Sequence, residues 1–217
     1  NRAVKPTRLR RSAYFRSLYF YIESYMNKKN RRPHLFITIE GVDGTGKSTV
    51  AKMLATFINA AHIVTPSPSL NKQRDLIEST NDRTKKFDFY KNSIIQQRKE
   101  IELLLQHSDV ICDRYIHSTF AYQWPIETHI PKRINNFIDG IKIPDFSFLL
   151  TVNEQARTSR INSRELTTAI INKADHQLDI INTARKRFLE MDELTQIDTS
   201  QMTPEEVCRK IIEIINA

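Results

Sequence analysis

Glycine is scarce in this chain, four residues in 217, and cysteine scarcer still at two. So little glycine beside so many Ile, Leu and Phe excludes collagen-like and low-complexity classes. Cys112 and Cys208 are too few and too far apart in sequence to make a disulfide framework, and they suit a reducing, cytoplasmic compartment. No apolar run reaches the roughly 18 residues that a membrane-spanning helix needs, and mean hydropathy is −0.47. The positive charge is concentrated in one stretch. Residues 1–33 hold ten Lys or Arg against Glu23 alone, a net of +9, whereas the other 184 residues carry 23 basic and 24 acidic side chains, a net of −1. The overall charge of +8 therefore belongs to an N-terminal extension. Nucleic acid is not an expected partner of the body, and stays open for the basic N-terminus.

What is present reads as one α/β domain over residues 34–217 with an add-on over residues 1–33. In the extension Tyr14, Leu18, Tyr21 and Tyr25 recur at helical spacing, with Phe15, Ile22 and Met26 beside them. This basic, aromatic segment is expected to be a helix packed on the body or at an interface. Its composition also resembles an organelle transit segment, which leaves a mitochondrial setting open. From His34 the pattern alternates. Short β-branched runs at His34–Glu40, Ala61–Thr65, Asp109–Asp113, Phe146–Val152 and near Thr195–Asp198 are expected strands. Helical patterns fall at Gly46–Asn59, Arg83–His107, Asn153–Ser163, Thr167–Asp192 and Thr203–Ile215, the last begun by Thr203, Pro204 and Glu205. Pro66 and Pro68 mark a loop. Five strands separated by helices predict a parallel sheet covered on both faces.

Gly41-Val-Asp-Gly-Thr-Gly46-Lys47-Ser48 fits G-x-x-x-x-G-K-[ST] between an apolar strand and a helix, which is the context the motif requires. Glycines at 41, 44 and 46 let successive backbone N–H groups turn inward around phosphate oxygens. The helix starting near Gly46 adds its N-terminal partial charge. Lys47 would reach the β- and γ-phosphates and the Ser48 hydroxyl would ligate Mg²⁺. Asp43, Gly44, Thr45, Gly46, Lys47, Ser48 and Thr49 are thus the expected ATP site.

Asp113-Arg114-Tyr115 ends the third strand, where open parallel sheets bind ligands. Asp113 would hold a Mg²⁺-bound water and Arg114 would bridge two substrates' phosphates; a structural ion pair is the competing reading. Arg157, Arg160 and Arg164 share one helical face before a polar turn at Ser163–Thr168, either a solvated basic face or an arginine lid (about 157–168) over a triphosphate.

Phe36 to Thr49, then Val110 to Tyr115 with Ser118 and Ala121-Tyr122-Gln123, then Pro144-Asp145, resemble the thymidylate kinase family of P-loop nucleoside monophosphate kinases over roughly residues 34–217. Asp113–Thr119, Thr65-Pro-Ser-Pro68 and Gln123-Trp-Pro125 are also similar to the mitochondrial UMP–CMP kinase branch. The resemblance implies ATP with Mg²⁺, transfer to a pyrimidine nucleoside monophosphate (most directly dTMP), and a homodimer. It implies that Asp43 meets the acceptor's 3′-hydroxyl and that Arg160 and Arg164 supply lid arginines, because the loop itself has none. It implies an acceptor site at Arg74, Phe89, Arg114, Ser118, Tyr122 and Gln123, although by spacing alone Phe87, Phe89 and Tyr90 serve equally as core. Two departures bear on the base. Val64-Thr-Pro-Ser-Pro68 stands where the family carries Arg-Glu-Pro-Gly-Gly, and Ser93 stands where an arginine addresses the thymine carbonyl. Losing one good polar contact shifts base preference by on the order of 1–3 kcal/mol, so CMP, UMP and their deoxy forms stay as alternative acceptors. A deoxynucleoside kinase using Glu40 as base, and a catalytically weak nucleotide-binding scaffold, are the other readings.

Overall fold

The structure, a computed structural model, describes residues 13–29, 32–125, 130–134, 137–168 and 177–217, with side chains from residue 20 onward. Tyr14, Phe15 and Leu18 of the N-terminal stripe therefore lie outside the described side chains. Five strands, β1 (Phe36–Glu40), β2 (Ala61–Val64), β3 (Val110–Asp113), β4 (Phe146–Thr151) and β5 (Thr195–Asp198), form one parallel sheet in the order β2-β3-β1-β4-β5. Buried strand residues alternate between two cores, as a period of two requires. Phe36, Val110, Cys112 and Leu149 face a core shared with Ile94, Tyr115, Phe120 and Phe188. Ile37, Ile39, Ile111, Phe148 and Leu150 face one shared with Leu54 and Ile211. Those partners come from α4 (Arg83–Leu104), α5 (Ile116–Gln123) with its N-cap Tyr115, and α7 (Leu178–Leu189) on the first side, and from α2 (Lys47–Phe57) and α8 (Pro204–Asn216) on the second.

Helix ends follow local chemistry. Asp82 caps α4 by accepting from the Lys85 amide at 3.0 Å. Thr203 and Glu206 form a reciprocal capping box at α8, with Pro204 in its first turn. Three features differ from the sequence expectation. After β2, a 3₁₀ turn at Pro68–Leu70 leads into α3 (Asn71–Glu78), where proline suggested only a loop. The residues after Tyr115, to which the sequence reading assigned no element, form α5. The expected turn at Ser163–Thr168 is instead the end of one helix, α6 (Glu154–Thr168). No glycine or proline interrupts α6, and the Thr167 and Thr168 hydroxyls donate back to the Ser163 and Arg164 carbonyls at 2.8 and 2.9 Å.

Helix α1 (Ala13–Lys29) lies against α8 and is tied to the body by one buried acid. Asp109, at the entrance to β3, is fully buried. It accepts from the Tyr25 hydroxyl and the Leu35 amide, both at 2.7 Å, and lies 3.4 Å from Lys29 and 3.3 Å from Arg32. Lys29 also donates to the Ile58 and Asn59 carbonyls at the end of α2, at 2.9 and 2.8 Å. Burial alone would raise the Asp109 carboxyl, but the Leu35 amide, Tyr25, Lys29 and Arg32 outweigh it and hold the pKa below the usual carboxylate value. A depressed pKa means that this stabilisation is complete above the unfolded value near 4 and is lost as pH falls below it. Asp109→Ala, which removes the acceptor of the Tyr25 hydroxyl and the Leu35 amide and the carboxylate facing Lys29 and Arg32, is expected to cost on the order of 3 kcal/mol in urea unfolding. A loss below about 0.5 kcal/mol, the size of an ordinary surface substitution, would show that α1 is held by packing alone.

Candidate phosphoryl-transfer site

Both motifs that carry chemistry leave the same edge of the sheet, since Ile39 of β1 pairs with Asp113 of β3. Gly44 sits at φ +87, and a Cβ there would come within 2.8 Å of Arg157 Cγ. Gly46 sits at φ +93 immediately before α2, turning the chain so that the first helical amides face the loop. Lys47, 5% exposed, folds back onto the loop: its Nζ donates to the Val42 carbonyl at 2.8 Å and lies 3.7 Å from Asp43. Burial lowers the Lys47 pKa to about 8, with Arg114 adding to the effect and Asp43, Asp113 and Glu40 opposing it. Ser48 and Thr49 are exposed on the first turn of α2, whereas Thr45 is buried and donates to the Val42 carbonyl at 2.8 Å.

Arg114 faces the loop from β3. Its backbone is left-handed, at φ +67, a conformation that costs a non-glycine residue on the order of 1–3 kcal/mol and clusters at functional sites. Its Nη2 donates to Asp43 at 2.5 Å, and its Nη1 lies 3.4 Å from the Gly41 carbonyl and 3.5 Å from the Ser118 hydroxyl. The guanidinium covers the Tyr122 ring at 5.3 Å. Burial alone would raise the Asp43 carboxyl, but Arg114, then Lys47 and Arg164, hold its pKa at about 2. Oδ1 of Asp113, next to Arg114, is buried with no hydrogen-bond partner among the described residues.

The α6 arginines close a third side. Arg157 is 2% exposed; its Nε donates to the Asp43 carbonyl at 2.9 Å and its Nη1 to Glu154 at 2.7 Å. Arg160 reaches the Thr45 carbonyl at 3.3 Å and the Thr199 hydroxyl and carbonyl at 2.9 and 2.6 Å. Arg164 is exposed, and its charge reaches Asp43. Arg157 and Arg160 are thus compensated by loop and turn carbonyls and by Glu154, and Arg164 faces the Asp43 charge.

The thymidylate kinase family model matches residues 39–211, from the end of β1 into α8. The chain belongs to the thymidylate kinase family. A probable thymidylate kinase of Methanocaldococcus jannaschii is 30% identical over 188 residues, spanning 82% of this chain and 94% of that protein. One from Methanococcus aeolicus is 31% identical over 189 residues, again spanning 82% and 94%. The thymidylate kinase structure from Candida albicans superposes with a TM-score of 0.66 at 21% identity, over 84% of this chain and 91% of that one, a likeness of fold alone.

In this thymidylate kinase family member the acceptor-side residues divide into two groups. Asp43, Arg114, Ser118 and Tyr122 converge beside Lys47. Gln123 is half-buried at the end of α5. Arg74, exposed on α3, and Phe89, half-buried on α4 and edge-on to Tyr90 at 5.2 Å, both touch Tyr90 rather than that group among the described contacts. Phe87 belongs to the core, packed edge-on against Phe120 and Trp124. Ser93 is 3% exposed and its hydroxyl donates within α4 to the Tyr90 carbonyl at 2.7 Å. Three residues of the site escaped the sequence reading: Arg157 as a support for the loop, Thr199 as the partner of Arg160, and His117 behind Glu40. For His117 a signal was present, an ionisable residue four positions after Asp113 within the Asp113–Thr119 stretch. Glu40 itself is fully buried and accepts from Ser118, so it is sealed away from any acceptor hydroxyl.

Proposed function

We propose that this chain transfers the γ-phosphoryl group of ATP to thymidine 5′-monophosphate, giving ADP and dTDP. The observation that supports this reading most is the Arg114–Asp43 pair at the mouth of the phosphate loop. It holds a guanidinium fork and a desolvated ammonium together at one anionic reaction centre. The acceptor's attacking oxygen is already anionic, so no general base is required, and burial of Glu40 fits that chemistry. Catalysis is then positioning and charge stabilisation.

In the nucleotide complex Lys47 would exchange the Val42 carbonyl for phosphate oxygens. Arg114 would keep one nitrogen on Asp43 and turn its others to the transferring group. Arg160, near Thr45, and Arg164, near Asp43, would flank the triphosphate from α6 and help exclude water, which suppresses idle hydrolysis. The exposed Ser48 hydroxyl and the unsatisfied Asp113 oxygen are hard oxygen donors suited to Mg²⁺, which commonly takes one or two protein oxygens plus substrate phosphates. When bound there, the ion supplies charge neutralisation at the phosphates. Asp43, Arg74, Phe89, Ser118, Tyr122 and Gln123 are proposed to receive the acceptor nucleotide, and the enzyme is proposed to work as a homodimer.

Ser93 favours a second acceptor class. Its hydroxyl is already committed to Tyr90, so this position offers the base no cationic donor, a change that suits CMP, UMP or their deoxy forms. ADP release measured with dTMP, dUMP, dCMP, CMP, UMP and AMP separates the two. A kcat/KM for dTMP at least tenfold above the others is expected. A preference for CMP or UMP would move the acceptor assignment, and no stimulation by any acceptor would overturn the kinase reading.

A further inference from the structure

Behind the phosphate loop lies a buried ionisable cluster that the mechanism leaves unused. Glu40 ends β1 with its carboxylate fully buried. One oxygen, Oε2, accepts from the Ser118 hydroxyl at 2.5 Å. The other, Oε1, has no hydrogen bond among the described residues and lies 3.7 Å from His117 Nδ1. The His117 ring, in the first turn of α5, is also fully buried, and its Nε2 lies 3.4 Å from Glu193 in the turn before β5. Glu193 in turn accepts from the Ile134 amide at 2.7 Å. From α7, also packed on α5, Arg187 donates to the Ala121 carbonyl at 3.2 Å. The imidazole therefore has a carboxylate on each side.

A buried carboxylate without a cation is costly, and it either takes up a proton or captures the nearest positive group. Lys47 and Arg114 also lie within electrostatic reach of Glu40. Both are the groups that a transferring phosphoryl group needs. We propose that His117 is a positioning residue for the phosphate site, holding Glu40 so that this carboxylate does not draw Lys47 and Arg114 away from bound phosphate. Burial works against a charged imidazole, but Glu193 and Glu40 on either side outweigh it and raise the pKa above the usual histidine value. The ring thereby compensates both acids from the rear, and the loop keeps its cations at the front.

This inference rests on the reading of the loop as the phosphate site. His117→Asn, His117→Gln and the double variants of each with Glu40→Gln test it in the intact chain. Three readouts are needed: thermal melting, affinity for a fluorescent ATP analogue, and kcat with dTMP. Removing a directly acting donor costs on the order of 10²–10³-fold. An indirect residue should cost less, and each folded His117 variant is expected to lose about tenfold in kcat and severalfold in analogue affinity. Adding Glu40→Gln, whose amide needs no cation, is expected to restore both to within about threefold of wild type, because the two effects share one cause. A purely structural role predicts the opposite, double variants as poor as the single ones or poorer. That outcome, or single variants with unchanged kcat and affinity, overturns the proposal. If the wild type itself transfers nothing to dTMP, the assigned acceptor fails instead, and the analogue affinities still decide the role of His117.

Discussion

Lys47→Ala should abolish useful turnover, lowering kcat by on the order of 10²–10³-fold or more, and leave the melting temperature close to wild type. The two halves of this expectation have separate causes. Catalytically, Lys47 is the buried cation whose one hydrogen bond among the described residues, to the Val42 carbonyl, is one that a phosphate oxygen can replace. Structurally, its pKa of about 8 shows that the fold disfavours its charged form relative to water. The sign follows: a lysine depressed in the folded state subtracts stability below its folded pKa, and the penalty disappears as pH rises toward the unfolded value near 10. Truncation removes that penalty, and Asp43 keeps Arg114 as its partner. The same value predicts that ATP affinity weakens above about pH 8, since deprotonation removes the charge that meets phosphate. A variant that melts normally and turns over within tenfold of wild type would contradict the assignment of Lys47.

Arg114→Lys carries the second large effect, a fall in kcat of on the order of 10²-fold or more despite retention of charge. Arg114 addresses Asp43, the Gly41 carbonyl and the Ser118 hydroxyl with two nitrogens of one rigid fork and lies over Tyr122. An ammonium is a point donor and cannot span those partners and a phosphate together. Arg114 is also the chief cation holding the Asp43 pKa at about 2, against the raising effect of burial. That contribution to stability is present above the unfolded carboxyl value near 4 and is lost as pH falls through about 2. With lysine the Asp43 pKa should rise, so acid unfolding should begin at higher pH than in wild type. Unchanged kcat together with an unchanged acid transition would show that the pair is incidental.

What could be read from sequence was whatever is fixed over a few neighbouring residues. The loop Gly41–Ser48 is defined by backbone conformations that glycine permits and by one adjacent lysine, so its motif and its place between β1 and α2 were legible directly. The cap at Thr203–Glu206 was legible for the same reason. Helix α5 was not, because β-branched and polar residues such as Ile116, Ser118 and Thr119 are weak helix formers, and here packing against α4 and α7 decides. The turn expected at Ser163–Thr168 misread hydroxyls that bond to the preceding helical turn as hydroxyls that end one. The supporting contacts of the site are non-local. Asp43 and Arg157 are 114 residues apart, and Thr45 and Thr199 are 154 apart. His117 and Glu193 are 76 apart. Nothing in local spacing announces such pairs, so the residues proposed to touch phosphate were visible while those that hold them in place were not.

The most direct test follows the phosphoryl group itself. The intact protein, given ATP labelled in its γ-phosphate together with Mg²⁺, is incubated with and without dTMP and the labelled products are separated. Label in dTDP, formed only when dTMP is present and absent with Lys47→Ala, is the expected result. Label released as inorganic phosphate regardless of dTMP, or retained entirely in ATP, would contradict phosphoryl transfer at this site.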